Sequence, residues 1–433
     1  MKNLLLEKKT NLIETKGCCV GIIGLGYVGL PLSILFAKNN FKLMGFDTDK
    51  KKIAKIKRNV SYIDRISNHD ISLINKNGNF YSNFSNIARC DIIIICVPTP
   101  LKNNDSPDLS FIKTTIKSIK KFLKKGQVLI LESTSYPGTT KDEIYQKIKN
   151  KFEIGENFFL GFSSERINPG KNENSIQIIP KVVSGYSKNC LKIISKFYSK
   201  SFNEIVESKS IEIAEFSKLL ENIYRSVNIG FINEMKILAD KMNIDIFDII
   251  AVANTKPYGF RRFFPGPGVG GHCIPVDPSY LYWKSVKVGL PAKFIKLSGH
   301  VNKLVMEFII KKILKNLKSK KITLVKSKIL ILGLSYKKEV DDFRESASIK
   351  LIDKLFKKGI KNISIHDPYV EDKISIKKIK KIKLLNPKVL KSFDIVVLMT
   401  DHDLFDYDLI KKNAKLIIDC RGRFEVKDNV QRG

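Results

Sequence analysis

Short continuous apolar runs mark both ends of this chain, while its middle keeps one long helical period. Residues 18–23 are apolar and end at a glycine-rich turn; residues 30–38 then read as a helix, and 41–46 as a strand ending at Asp47. Residues 91–97 and 127–131 are further apolar runs of strand length, and each enters a polar loop, Pro98-Thr99-Pro100 and Glu132-Ser133-Thr134. Near Ser210 the period changes. Ile213, Phe216, Leu219, Leu220, Ile223 and Val227 recur at three- and four-residue steps, which predicts one apolar face on a long helix running past Met235 and Leu238. A second helix is expected over residues 292–317. Runs at 328–333, 363–367, 395–399 and 416–419 restore the strand–helix alternation.

Strands alternating with helices predict parallel sheets covered on both faces. The fold class expected is α/β, with two doubly wound Rossmann-like domains joined by a long-helix central domain. Residues 1–16 form a polar, partly helical lead-in, 17–209 a dinucleotide-binding domain, 210–318 the central helical domain, and 319–433 the last α/β domain. Ligands of such sheets bind outside the carboxyl ends of the strands.

The first of those ends carries Gly24-Leu25-Gly26-Tyr27-Val28-Gly29, after a strand and before a helix, with Asp47 eighteen residues beyond. In that setting Gly24 makes the tight turn, Gly26 lets a pyrophosphate approach, and Gly29 packs helix on sheet. The pyrophosphate would lie at the helix N-terminus, where N–H groups and the dipole favour anions. Asp47 would bind the ribose hydroxyls and repel a 2′-phosphate, so the cofactor expected is NAD.

Composition changes this picture little. The net charge of +34 comes mainly from lysines spread along the whole chain. No arginine-rich tract or zinc-finger spacing accompanies it, so nucleic acid is not the expected partner. A basic surface still suits an anionic nucleotide substrate. The seven cysteines show no framework spacing and no Cys-x-x-Cys, which suits a reduced, cytoplasmic protein. No apolar run approaches the roughly 20 residues of a membrane span, and the first residues are too charged for a signal peptide. No metal is expected: the histidines are scattered, and Asp401-His402-Asp403 reads as the end of a strand.

The densest candidate chemistry is Pro265-Gly266-Pro267-Gly268-Val269-Gly270-Gly271-His272-Cys273, with Asp277 four residues on. Glycines let backbone and substrate approach the sulfur, and a thiol so held suits covalent catalysis. Cys90, Cys96 and Cys420 lie in apolar strand contexts and suit core roles. Lys218, Asn222 and Arg225 share one face of the long helix, where a lysine could stabilise an oxyanion or relay a proton. After the first strand of the last domain come Tyr336-Lys337-Lys338 and Asp341-Asp342-Phe343-Arg344, cations placed for phosphate contacts. Lys338 reads as a surface lysine.

Together these residues resemble the UDP-glucose/GDP-mannose dehydrogenase family of NAD-dependent nucleotide-sugar 6-dehydrogenases. The resemblance runs from the fingerprint to Gly422 and is carried by Gly-Leu-Gly-Tyr-Val-Gly-Leu-Pro, Val-Pro-Thr-Pro, Glu-Ser-Thr, Ser-Glu-Arg, the Lys218/Asn222 helix, Gly-Gly-His-Cys and Asp-Asp-Phe-Arg-Glu-Ser. Gly-Gly-His-Cys-Ile-Pro looks like the branch acting on UDP-N-acetylhexosamines. The Lys218 helix, Lys256-Pro-Tyr-Gly-Phe and Asp401-His-Asp-Leu-Phe-Asp-Tyr look most like UDP-N-acetylglucosamine 6-dehydrogenases of surface-polysaccharide pathways, O-antigen or capsule.

The resemblance implies roles position by position. Cys273 matches the nucleophile, Lys218 the oxyanion and proton lysine, and Asn222 its helix neighbour. Asp277 and Thr134 match residues that hold or activate a water, and Glu165 a carboxylate of thioester turnover. Glu165, Arg166, Ile167, Lys218, Asn222, Arg225 and Gly270, with Tyr336 and Lys337, fall at UDP-sugar positions. Tyr27, Val28, Asp47, Lys52, Thr99, Thr134 and Arg344 fall at cofactor positions. A homodimer or higher homo-oligomer is implied, the central helices serving as its interface. The segment 256–262 carries Arg261 and Arg262 in a register that does not match its relatives clearly, and they are left outside the site.

The reaction so implied is a four-electron oxidation of a sugar C6 hydroxyl to a carboxylate, through a thiohemiacetal and a thioester on Cys273. Alternatives keep the chemistry on UDP-N-acetylgalactosamine, UDP-N-acetylmannosamine or UDP-glucose. Others are a two-electron dehydrogenase stopping at an aldehyde or ketone, and a nucleic-acid-binding protein on the same scaffold, which only the charge supports.

Overall fold

A computed structural model describes residues 2–63, 66–166, 176–271, 274–370 and 379–433. The chain divides into two compact units, Met1–Glu221 with Ser279–Gly289, and Asn222–Pro278 with Leu290–Gly433.

The first unit is built on an eight-stranded sheet: β1 (Cys19–Ile23), β2 (Lys42–Phe46), β3 (Gly78–Tyr81), β4 (Ile92–Ile95), β5 (Val128–Leu131), β6 (Phe159–Ser163), β7 (Lys181–Gly185) and β8 (Ile205–Glu207). Its order is β3-β2-β1-β4-β5-β6-β7-β8, parallel except between β6 and β7. The strand order reverses at β1 and β4, the switch point at which a doubly wound sheet opens a ligand crevice. β4 is four isoleucines, all fully buried, as a strand covered on both faces requires. The lead-in is a helix, Lys2–Glu14, whose Lys9 pairs with Asp91 at 2.7 Å.

In the second unit β9 (Lys328–Leu332), β10 (Asn362–His366), β11 (Lys380–Lys381), β12 (Ile395–Leu398), β13 (Ile417–Asp419) and β14 (Val430–Arg432) form a wholly parallel sheet, ordered β11-β10-β9-β12-β13-β14. The helices Ile211–Lys241 and Lys293–Ser319 are the long central elements expected from the periodicity. Two doubly wound, mainly parallel sheets and a long central helix are thus the architecture the sequence pattern predicts. Among the described residues, no helix is long and apolar enough to cross a membrane.

The long helix Ile211–Lys241 departs from one expectation. The six apolar residues do not bury as a set: Leu219 and Ile223 are buried, whereas Ile213, Phe216 and Leu220 are 52%, 43% and 54% exposed. The buried side is mixed: beside Ile211, Ala214, Leu219, Ile223, Ile232 and Ala239 it carries a polar row, Glu215, Lys218, Asn222, Ser226, Asn233 and Lys236, all below 9% exposure. Steps of three, four and seven residues place these six on one side of the helix. Glu215, Lys218, Asn222 and Asn233 make specific hydrogen bonds there, so polar side chains share the inward side with aliphatic ones.

Candidate functional site

The crevice at β1 is shaped by its glycines. Gly24 has φ +90°, and a Cβ there would lie 2.7 Å from the Cys96 carbonyl oxygen, so only glycine fits. A Cβ on Gly29 would collide with the Gly24 carbonyl oxygen, which fixes how closely the helix Gly29–Lys38 approaches the turn. Gly26 is different: a Cβ there would meet no atom within 4 Å. The space above Gly26 is a cradle that a side chain would fill, as a bound pyrophosphate requires.

Asp47 follows β2 and ties this turn in place. One carboxylate oxygen accepts the Leu25 N–H at 2.9 Å, the other accepts the Asp49 N–H at 2.9 Å, and Lys52 Nζ lies 3.4 Å away. The Tyr62 hydroxyl donates to the Leu25 carbonyl at 2.5 Å. Asp47 therefore sits where a ribose would follow the pyrophosphate, and the donor set fits an adenine dinucleotide lacking a 2′-phosphate. Tyr27 is 43% exposed at the mouth of this turn, and Val28 caps the helix. Thr99 is buried after β4, and Thr134 is half-buried after β5. Between them the Ser133 hydroxyl donates to the Val97 carbonyl at 2.7 Å. Glu132 turns away into the core, pairing with Lys181 at 2.9 Å and accepting from the Tyr198 hydroxyl.

After β6 the chain delivers Glu165 and Arg166 to the long helix. Lys218 Nζ donates to the Glu165 main-chain carbonyl and lies 3.7 Å from its carboxylate, both side chains being largely buried. Arg166 bonds Glu221 through two nitrogens, at 2.8 and 3.3 Å, and the Pro180 carbonyl at 3.0 Å. Ile167 lies outside the described residues.

In the second unit Asn222, one turn beyond Lys218, donates to the Asp277 carboxylate at 2.5 Å, with both residues buried. Asp277 is the first residue of the helix Asp277–Lys287. Arg225 shares their side of the helix by spacing, but is exposed. The glycine loop is anchored at both of its described ends. Asn233 accepts the Gly266 N–H at 2.9 Å and donates to Asn302 at 2.9 Å. Gly271, at φ +84°, donates to the Arg344 carbonyl at 3.3 Å, and a Cβ there would lie 2.8 Å from the Tyr336 ring. A Cβ on Gly270 would lie 3.0 Å from both Tyr336 Cβ and the Glu345 carbonyl. Close approach to Tyr336 thus explains why glycine occupies these two positions. Cys273 lies outside the described residues.

The remaining cations of the last domain differ in setting. Arg344 forms a fork with Asp342 at 2.6 and 3.0 Å, and Lys337 is half-buried. Lys338 pairs with Asp403 at 2.5 Å near the surface. His402 is fully buried: Nε2 lies 2.9 Å from the Ser335 hydroxyl and 3.1 Å from Asp367, while Nδ1 accepts the Glu339 N–H at 3.1 Å. It braces the end of the strand, and among the described residues no three His, Cys, Asp or Glu gather to hold a metal. Cys90, Cys96 and Cys420 are buried free thiols, and burial pushes Cys420 up to about 11, where it is a poor nucleophile.

Sequence reasoning passes over Glu215 and Asn233. The available signal is the polar stripe itself, which extends from Lys218 and Asn222 in both directions at helical steps.

Three stretches of the chain match one known protein family. Residues 18–202 match the NAD binding domain of the UDP-glucose/GDP-mannose dehydrogenase family, 212–304 its central domain, and 330–426 its UDP binding domain. Protein CapL of Staphylococcus aureus is 34% identical, the alignment covering 94% of this chain and 95% of that protein. The UDP-N-acetyl-D-glucosamine 6-dehydrogenase of Pseudomonas aeruginosa is 32% identical over 81% of this chain and 83% of its own. Among solved structures, the UDP-D-ManNAc dehydrogenase of Pyrococcus horikoshii superposes with a TM-score of 0.84 at 28% identity, covering 94% of this chain and 96% of that one. With all three parts matched in order, the chain belongs to the UDP-glucose/GDP-mannose dehydrogenase family and carries that family's NAD-binding domain.

Proposed function

We propose that the protein oxidises the C6 hydroxyl of UDP-N-acetylglucosamine to the carboxylate, with 17–209 binding NAD, 210–318 carrying the cysteine loop and 319–433 binding the UDP-sugar. The observation that carries this reading is the inward polar face of the long helix. A buried lysine beside a carboxylate and a buried amide beside a second carboxylate, on successive turns, are the groups that an alcohol oxidation followed by a hydrolysis needs.

NAD, when bound, accepts the hydride of each of two oxidations. The residues of the chain do the rest. The Lys218 ammonium stabilises developing negative charge on the sugar oxygen and relays the hydroxyl proton onward to solvent, with Asn222 supporting the same oxygen. Cys273 adds to the aldehyde, so the half-oxidised sugar stays attached until the second oxidation makes a thioester. Asp277, Thr134 and Glu165 serve the hydrolysis, in which one water breaks the C–S bond and returns the thiol. Per sugar, two hydrides leave, one water is consumed, one carboxylate forms and three protons pass to solvent. Arg166, Ile167, Arg225, Gly270, Tyr336 and Lys337 are assigned to the UDP-sugar. Tyr27, Val28, Asp47, Lys52, Thr99, Thr134 and Arg344 are assigned to the cofactor.

The N-acetylglucosamine reading is supported by the Pseudomonas aeruginosa relative, and the Pyrococcus horikoshii structure supports UDP-N-acetylmannosamine as the second reading. A cytoplasmic location and a place in surface-polysaccharide synthesis follow from the same substrate class. The test is the ratio of NADH formed to sugar consumed, run on UDP-N-acetylglucosamine and its manno, galacto and glucose counterparts. Two NADH and a carboxylate from the first of these is the expected result. One NADH with an aldehyde would remove the role given to Cys273, and preference for the manno sugar would select the second reading.

A further inference from the structure

Glu215 stands one turn before Lys218 on the long helix and is fully buried. Its carboxylate accepts three hydrogen bonds: the Gly138 N–H at 2.5 Å, the Thr140 N–H at 2.9 Å and the Thr140 hydroxyl at 2.7 Å. All three donors belong to the segment that leaves β5 and passes through Thr134. Two of them are backbone N–H groups where the helical turn Thr140–Tyr145 begins, a place that has no intrahelical acceptor to offer and that favours negative charge. The other end of the segment is held by Ser133, whose hydroxyl bonds the Val97 carbonyl. Thr134 therefore lies between two clamps, one on the sheet and one on the long helix.

We propose that Glu215 is a positioning residue, whose ionised carboxylate fixes the segment bearing Thr134 to the helix that bears Lys218. The inference rests on the roles given above to Lys218 and Thr134. Its chemistry is specific to the charged form. A carboxylate accepts all three as charge-assisted hydrogen bonds, whereas a carboxylic acid has one oxygen that is a weaker acceptor and can keep the Thr140 hydroxyl only by reversing that bond. Protonation therefore weakens the clamp on the two backbone N–H groups, and the segment loosens.

The group is poised to make that change. Burial pushes Glu215 up to about 7, against the hydrogen bonds from Thr140 and Gly138, and the charge of Glu212 adds to the rise. The charged and titratable neighbours on the facing elements are Lys141 and Asp142 on the turn it caps, Tyr136 in the segment, and Lys284. Lys141 is already paired with Glu212 at 2.5 Å, and Lys284 lies 3.7 Å from Asp142 and over the Tyr136 ring. Lys141 and Lys284 are thus each engaged with another carboxylate, and Glu215 relies on its three neutral donors.

The experiment compares wild type, Glu215→Gln and Thr140→Val as full-length chains. Turnover is followed across neutral pH, and amide exchange of residues 133–140 is measured at about pH 6 and about pH 8. In wild type, the protection of these amides, taken against the intrinsic exchange rate at each pH, should fall and kcat should fall as the pH drops through the neutral range. Glu215→Gln should show about tenfold lower protection than wild type at about pH 8 and resemble it at about pH 6, lose about tenfold or more in kcat at the higher pH, and lack the acid limb. Thr140→Val removes one donor to the charged form, so its acid limb should move to higher pH. An unchanged pH profile and unchanged exchange in Glu215→Gln would overturn the proposal. Should that variant fail to fold, an unmoved limb in Thr140→Val would do the same. If wild type turns over none of the UDP-sugars, the functional reading fails, and the exchange data still decide for or against the clamp.

Discussion

Asp47 and Asp367 accept the same backbone hydrogen bond in two different sheets. Each follows the second strand of its sheet and binds the N–H of the residue after the turn glycine, Leu25 at 2.9 Å and Leu334 at 2.6 Å. The turn glycines match as well, Gly24 at φ +90° and Gly333 at φ +83°. The two carboxylates nevertheless have different prospects. Asp47 accepts from Leu25 in the glycine turn and from Asp49 in its own, with Lys52 at 3.4 Å. Asp367 is fully buried, and it also accepts from Ser335, Tyr369, Val370 and His402. The second sheet reuses the turn while sealing its acid completely, whereas the Asp47 carboxylate keeps slight exposure.

Replacing Asp47 by Asn should therefore act on the cofactor. An amide retains an acceptor for Leu25 but loses the charge that binds ribose hydroxyls and repels a 2′-phosphate. We expect KM for NAD to rise about tenfold, a loss of about 1.4 kcal/mol, with measurable use of NADP. Initial rates with both cofactors would show it, and an unchanged NAD to NADP preference would remove Asp47 from the site.

The glycines of the turn separate cofactor binding from folding. Gly26→Ala adds a methyl to open space, so the melting temperature should hold while KM for NAD rises. Gly29→Ala drives a methyl into the Gly24 carbonyl and should destabilise the domain by about 3 kcal/mol or more. Thermal melts beside NAD titrations test both, and the two variants melting alike would contradict the geometry.

Asp367 gives a pH dependence with a definite sign. Burial alone would raise this acid, but the hydrogen bond from His402 and those from the N–H groups of Leu334 and Ser335 outweigh it and bring the carboxyl down to about 2. A carboxyl lowered on folding stabilises the fold above its unfolded value and loses that contribution as pH falls through the folded one. The window is thus from about 4 down to about 2, and the contribution about 2 kcal/mol. Asp367→Asn should lower stability at neutral pH by at least that amount and flatten the acid limb of denaturant midpoints between those values. An unaltered limb would place the acid sensitivity elsewhere.

Much of this architecture can be read from the chain because its central strands are continuous apolar runs buried on both faces, as Ile92 to Ile95 are. The edges are less legible. Lys380–Lys381 and Ile205–Glu207 are short and exposed, and they pair through backbone alone, so no side-chain pattern announces them. The antiparallel step between β6 and β7 is likewise invisible to periodicity. For the site, spacing identifies the turn around Gly24 and the pair Lys218 and Asn222. It does not reveal that Glu215 and Asn233 point inward beside them, because an apolar arc on the same helix competes for the core assignment. Burial of the polar face is decided by partners distant in sequence, Thr140 and Asn302 among them.

Lys218 should matter to rate more than to binding. Lys218→Met keeps the aliphatic stem and removes the ammonium next to Glu165, so kcat should fall about 100-fold or more with a smaller change in KM. Cys273→Ser should fail to make carboxylate at steady state. Equal carboxylate production by that variant would rule out the nucleophile.

The exposed side of the long helix predicts self-association. Ile213, Phe216, Leu220, Tyr224, Phe231 and Leu238 are each 43–54% exposed and follow one another at steps of three, four and seven residues. They make a continuous apolar stripe along the outside of a helix whose inner side already buries a second, mixed set of residues. Isolated exposed aliphatics are ordinary, but a stripe of this length is characteristic of an interface. Because this side of the helix repeats in every copy, two copies can bury it against each other across a two-fold axis. Leu220→Glu with Phe231→Glu would place charges in such a contact without touching Glu215, Lys218 or Asn222. The wild-type chain should run as a dimer or larger in sedimentation, and the double variant should dissociate with its Kd raised about 100-fold or more. Monomeric wild type at micromolar concentration would mean that this stripe serves another purpose.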